Sequence, residues 1–72
     1  MTAGEVESWS VEDGWGVLVS DSLDEPVWAH YSHIDMPGFR VLAAGDRVEF
    51  DYEAADQDGY RYRATVVRAL TQ

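Results

Sequence analysis

Five short runs in which apolar and polar residues alternate are the feature that most constrains how this chain can fold. They lie at about residues 4–10, 15–20, 27–31, 47–53 and 60–69, and Gly, Asp, Ser and Pro separate them. Apolar side chains at every second position are typical of strands with one buried face. No stretch of useful length shows the 3.6-residue period of an amphipathic helix. The pattern therefore predicts an all-β fold.

The length of 72 residues limits the chain to one domain, with a core that we expect from about residue 4 to residue 69. A domain of this size buries only about 60% of its unfolded surface, so its core is thin. There are no cysteines, which excludes disulfides and thiolate metal sites. Five strands in such a chain favour a small antiparallel closed barrel, because closure removes exposed edges. An SH3-like barrel is the main topological alternative.

The alternation also predicts which side chains face the barrel interior. It places Val48, Phe50 and Tyr52 on one face of the fourth strand, and Tyr60, Tyr62, Ala64 and Val66 on one face of the last strand. The segment 32–45 is predicted to be a loop with one helical turn at its start, and residues 56–59 a turn. The predicted inner face consists of Val6, Leu18, Val27, Ala29, Val48, Phe50, Val66 and Leu70.

The charge balance constrains the partners of this domain. Fourteen acidic residues stand against five arginines and no lysine, which gives a net charge of −9. This argues against a nucleic-acid binder driven by general electrostatics. Two uses of the arginines remain open: Arg61 and Arg63 pair across strands with the acids of residues 49–53, or they grip phosphates together with Arg68.

Two segments resemble the ribonucleoprotein motifs of the bacterial cold-shock domain family. Residues 13–18, Asp-Gly-Trp-Gly-Val-Leu, resemble the family's Lys-Gly-Phe-Gly-Phe-Ile, and residues 27–31, Val-Trp-Ala-His-Tyr, resemble Val-Phe-Val-His-Phe. Further family-like segments follow in the family's order, so the resemblance covers roughly residues 4–69. It implies a five-stranded OB-type barrel that binds single-stranded DNA or RNA.

Aromatic rings fixed on a sheet stack on unpaired bases with little sequence preference. Alternation puts Trp15 and Val17 on one face of the second strand, and Trp28 and His30 on one face of the third, where we expect both tryptophans at the surface. Alternation alone would put Trp9 beside acidic residues, so we expect a β-bulge to set its direction and let it extend the platform. Together with positions that the resemblance implies, the predicted nucleic-acid-binding residues are Trp9, Trp15, Val17, Trp28, His30, Tyr31, Phe39, Arg61 and Arg63.

Departures from the family pattern make this an acidic, divergent relative. Glu7 and Asp13 stand where the family has lysines, and Ser8 and Val17 stand where it has aromatic rings. We therefore expect weak binding of single-stranded nucleic acid by stacking, with little salt dependence. The alternative is an aromatic face that binds a basic protein partner, with nucleic-acid binding lost. A monomer and a weak homodimer both remain open.

Other functional classes have little support in the sequence. The serines lack a recognisable base partner and there is no phosphate-cradling glycine loop, so we expect no enzymatic activity. His30 and His33 have poor metal-ligand spacing, with Asp35 as the one nearby candidate, so we expect no metal and no cofactor. Neither a long apolar stretch nor a signal peptide is visible. We therefore expect a cytoplasmic chain without membrane association.

Overall fold

The computed structural model describes residues 1–35 and 41–70. A 3-10 turn at Tyr31–His33 follows the third strand, where the helical turn was predicted. Within the described residues, no helix has the length and apolar character that a membrane crossing requires. The strands are β1 (Thr2–Ser10), β2 (Trp15–Val19), β3 (Val27–His30), β4 (Arg47–Gln57) and β5 (Tyr60–Ala69).

The five strands close into a barrel in the order β1-β2-β3-β5-β4. All neighbouring pairs are antiparallel except β3 and β5, which run parallel where Val27 faces Tyr62 and Trp28 faces Arg63. Strand directions cannot alternate all the way around a ring of five, so at least one neighbouring pair must be parallel. The predicted five-stranded OB-type barrel is confirmed, with one parallel pair among its antiparallel pairs.

The barrel interior contains most of the residues predicted for it, with two exceptions at the C-terminal end of the chain. Val66 is only half-buried and Leu70 is 46% exposed. A bulge leaves Thr65 as an extra residue in β5, which reverses the alternation and turns Val67 inward in place of Val66. The core cluster comprises Val6, Leu18, Val27, Ala29, Ile34, Leu42, Val48, Phe50, Ala64 and Val67.

Tyr52, which alternation places on the same face as Phe50, does not belong to the core cluster. β1 pairs with β4 only as far as Phe50, which faces Thr2. Tyr52 lies beyond this point, is 37% exposed, and meets the ring of Tyr62 edge-on at 5.1 Å. Residues 52–62 thus form a hairpin that extends past the end of β1, and we call this segment the β4–β5 arm. Its strand β4 continues to Gln57, where the sequence predicted a turn.

Candidate nucleic-acid interface

The outer faces of β2 and β3 carry a continuous row of rings. Trp15 faces His30 and Val17 faces Trp28 across the two strands. Paired residues in neighbouring strands lie on the same face, so these four side chains share one surface. Ring centroids are 6.0 Å apart for Trp15 and Trp28, 5.8 Å for Trp28 and His30, and 4.5 Å for His30 and Tyr31. The structure therefore brings together most of the aromatic residues that the sequence predicted for one platform.

Burial differs strongly along this row. Trp15 and His30 are half-buried and Tyr31 is 47% exposed, whereas Trp28 is only 8% exposed. Trp28 and the equally buried Val17 do not belong to the core cluster. The expectation that Trp28 is displayed at the surface is wrong, because the rings of Trp15 and His30 stack against it. Trp28 therefore lies beneath the surface, and the rings of Trp15 and His30 beside it form the more exposed part of the row.

The ring of His30 is oriented by the turn that follows it. Its Nδ1 accepts a hydrogen bond from the backbone N–H of Ser32 at 3.2 Å and lies 2.9 Å from the Ser32 hydroxyl oxygen. A ring nitrogen that accepts carries no hydrogen, so the neutral imidazole has its hydrogen on Nε2. His30 therefore keeps one N–H donor for a base or a phosphate.

Gly14 fixes the position of Tyr31 at one end of the row. The Tyr31 N–H donates to the Gly14 carbonyl oxygen at 2.9 Å. Gly14 has φ +80°, and a Cβ there would come within 3.1 Å of the Tyr31 ring. The turn thus needs glycine both for its backbone conformation and for the close approach of the ring.

Trp9 lies away from this row. Val6 faces Leu18 and Ser8 faces Val17, which leaves Glu7 as the extra residue of a bulge in β1. The predicted bulge is confirmed, but it turns Trp9 to the inner side, where the indole lies against Gly16 and packs on the core. The expectation that Trp9 extends the platform is therefore wrong. Phe39, which the sequence also placed there, lies outside the described residues.

Tyr60 is the residue that sequence reasoning missed. Its ring meets that of Trp15 edge-on, with centroids 6.3 Å apart and planes inclined by 69°. Alternation groups Tyr60 with Tyr62 and Ala64 on one face of the last strand, but Tyr60 lies in the β4–β5 arm, beyond the pairing of β3 with β5. No local pattern identifies this contact, because Trp15 is 45 residues away in sequence. We call the row Trp15–Trp28–His30–Tyr31 the aromatic strip, and Tyr60 adjoins its Trp15 end.

The described arginines of β5 differ in their ion-pair partners. Arg63, which faces Trp28 in register, donates from Nε and Nη2 to Oε2 of Glu53 on β4, so the predicted cross-strand pairing is confirmed there. Arg68 pairs with Asp35 at 3.0 Å. Arg61 is exposed and makes no ion pair within the described residues. Among the described residues, Arg61 is thus the one of these three arginines without a carboxylate partner.

Two exposed acidic side chains lie close in sequence to Trp15 of the strip. Glu7 is exposed at the β1 bulge, and Asp13 is exposed in the turn before Gly14. The Asp13 carboxylate accepts from the Ser10 hydroxyl at 3.0 Å, and that hydroxyl oxygen accepts from the Asp13 N–H at 3.1 Å. No three His, Cys, Asp or Glu side chains gather into a metal site within residues 1–35 and 41–70.

Replacing Glu53 by Gln is expected to strengthen nucleic-acid binding about threefold. The change removes a negative charge and releases Arg63 beside Trp28, while the lost pair is about 40% exposed and contributes at most about 1 kcal/mol to stability. Fluorescence titration with a single-stranded oligonucleotide measures the change. The matched control is Asp51→Asn, two residues earlier on β4, which makes the same charge change without touching Arg63. Equal gains from both variants would show that only net charge matters.

A closed five-stranded barrel whose β2 and β3 carry outward-facing rings defines the OB class of small β-barrels. The family model described as the 'Cold-shock' DNA-binding domain matches residues 2–70. The chain belongs to the cold-shock domain family.

Relatives with curated names agree with this assignment. The cold shock-like protein CspD of Haemophilus influenzae is 33% identical over 60 residues, which are 83% of each chain. The cold shock-like protein CspA of Stigmatella aurantiaca is 39% identical over 51 residues, 71% of this chain and 75% of its own. The cold shock protein ScoF of Streptomyces coelicolor is likewise 39% identical over 51 residues, 71% of this chain and 76% of its own.

Proposed function

We propose that this chain binds single-stranded DNA or RNA by stacking bases on the aromatic strip, and that it acts by equilibrium binding without catalysis. The observation that carries the proposal is the continuity of the strip, in which Trp15, Trp28, His30 and Tyr31 follow one another at 4.5–6.0 Å on one face. Unpaired bases expose both of their faces, so such a row suits a single strand that is held open.

The balance of forces predicts weak binding that depends little on salt. Each stacked base contributes about 1–3 kcal/mol, whereas each exposed charge pair contributes about 0–1 kcal/mol. Salt dependence measures how many phosphates are neutralised by cations. Arg63 and Arg68 already have carboxylate partners, and Glu7 and Asp13 repel phosphates, so few counterions are released.

Titration with short single-stranded oligonucleotides tests the proposal. We expect saturable quenching of tryptophan fluorescence, because Trp15 is partly exposed in the strip. Between 50 and 200 mM salt, the affinity is expected to change less than about threefold, against about 10³–10⁵ for a protein with many phosphate contacts. A steep loss of affinity with salt contradicts the stacking mechanism. The absence of quenching at high micromolar oligonucleotide contradicts nucleic-acid binding.

A second candidate function is the binding of a basic protein partner on the same surface. The net charge of −9 and the exposed acids at Glu7 and Asp13 favour it. Exposed aromatic residues surrounded by acids suit the cationic and apolar side chains that dominate protein interfaces. Reversing these two charges separates the candidates, because it attracts phosphates and repels a basic partner.

A further inference from the structure

The β4–β5 arm forms an open notch directly beside one end of the aromatic strip. The notch has a volume of about 570 Å³ and is lined by residues 54–56 and 59–62. This lies within the range of about 300–1,000 Å³ that is typical of small-molecule sites. Tyr60 lines the notch, and its ring contacts Trp15 at the end of the strip. The notch therefore continues the surface that bases are proposed to follow.

Two features of the arm's backbone shape this notch. Ala54 faces Tyr62 and Gln57 faces Tyr60, so β4 has one more residue than β5 between these pairs and bulges there. The tip, Asp58-Gly59, has φ +51° and +86°, the positive values of a tight two-residue hairpin turn. A bulge and a fixed turn hold Tyr60 in place with its ring beside the open space.

The charges of the notch fit a nucleotide better than an apolar ligand. Arg61 lines the notch, is exposed, and has no ion pair within the described residues, in contrast to Arg63 and Arg68. A guanidinium and an aromatic ring that line the same notch can contact the phosphate and the base of one nucleotide. The Asp56 carboxylate also lines the notch and repels a phosphate there. Removing this negative charge is therefore a second, independent test of the subsite.

We propose that Tyr60 and Arg61 form an additional nucleotide subsite at the end of the aromatic strip, with the base on Tyr60 and its phosphate on Arg61. The inference rests on the proposed function and extends it to a residue that the sequence did not identify. It predicts that the arm is used only by strands long enough to occupy the strip and continue past Trp15.

The test is the dependence of affinity on oligonucleotide length, measured by fluorescence titration with oligothymidylates of three to eight nucleotides. In the unmodified chain, affinity is expected to rise with length until strip and notch are filled. Tyr60→Ala is expected to leave the affinity of the shortest binding strand unchanged, to weaken long strands about 5- to 150-fold, and to reach its plateau one nucleotide earlier. Tyr60→Phe keeps the ring and is expected to keep the full profile.

Charge variants and a matched control complete the design. Arg61→Ala is expected to reduce the salt dependence for long strands by about one phosphate contact, and Asp56→Asn to strengthen their binding up to about fivefold. Tyr52→Ala is the control, since Tyr52 lies on the same arm and contacts Tyr62 and Phe50 rather than the strip. It is expected to leave the length profile unchanged.

The outcomes separate this inference from the proposed function. If the unmodified chain binds but Tyr60→Ala weakens all lengths equally, Tyr60 only supports Trp15 and the subsite does not exist. No effect at any length overturns the subsite as well, while the proposed function stands. If the unmodified chain binds no oligonucleotide, both proposals fall.

Discussion

Phe50→Ala is expected to destabilise the domain by about 3–5 kcal/mol, because truncating a buried Phe loses its transfer free energy and leaves a cavity that a thin barrel fills poorly. Phe50 is fully buried and is the largest side chain in the core cluster. A domain of 72 residues has only about 4–11 kcal/mol of total stability, so the variant is expected to lose a large share of it. Urea denaturation followed by tryptophan fluorescence measures the change.

Tyr52→Ala is the matched control for this prediction. Tyr52 follows two positions later on the same strand, but it lies past the end of β1 and is 37% exposed. Removing its ring is expected to cost about 1 kcal/mol, mainly from the edge-on contact with Tyr62 and the tilted contact with Phe50. Equal losses of stability for Phe50→Ala and Tyr52→Ala would contradict the conclusion that the barrel core ends at Phe50.

Replacing Glu7 and Asp13 together by lysines is expected to strengthen single-strand binding about 30-fold at low salt. Two repulsions become two attractions, and a change of about 0.5 kcal/mol for each of four unit charges gives about 2 kcal/mol. If both lysines contact phosphates, the slope of log affinity against log salt steepens by about 1.4. Both positions are exposed, so we expect the fold to tolerate the change. Titrations at about 50 and 200 mM salt measure both quantities.

The control for charge reversal makes the same change in net charge elsewhere. Asp21 and Asp24 are exposed in the loop after β2, at the opposite end of that strand from Trp15. Their replacement by lysines is expected to alter affinity less than about threefold, because charges beyond about 8 Å are largely screened at physiological salt. If instead the Glu7 and Asp13 variant weakens binding of a basic protein and gains no affinity for oligonucleotides, the second candidate function replaces the first.

Local pattern was sufficient for the strands and for most of the core. Alternation placed Val6, Leu18 and Phe50 correctly, because a strand's side chains take opposite faces wherever the backbone is regular. It failed at Val66, where a bulge at Thr65 changes the phase. Bulges arise where two strands fit together, and neither strand's own sequence specifies them.

The aromatic surface was likewise only partly predictable from local sequence. Trp15, Trp28, His30 and Tyr31 were predicted because they are close in the chain and lie on two paired strands. The contact of Tyr60 with Trp15 comes from the closure of the barrel, which brings the distant β4–β5 arm to the end of the strip. Alternation predicts that Trp28 faces outward, but it does not predict that the rings of Trp15 and His30 stack on Trp28 and cover it.

By itself, the sequence determined the all-β class, the barrel type, the charge of the domain and the central part of the aromatic surface. These follow from residue type, two-residue periodicity and motif order, all of which act over a few neighbouring positions. Only the tertiary structure decided that Trp9 turns inward, that Trp28 is covered, that Arg63 is neutralised by Glu53, and that Tyr60 adjoins the strip. Each of these depends on contacts between separate strands, which form only when the five strands close into one barrel.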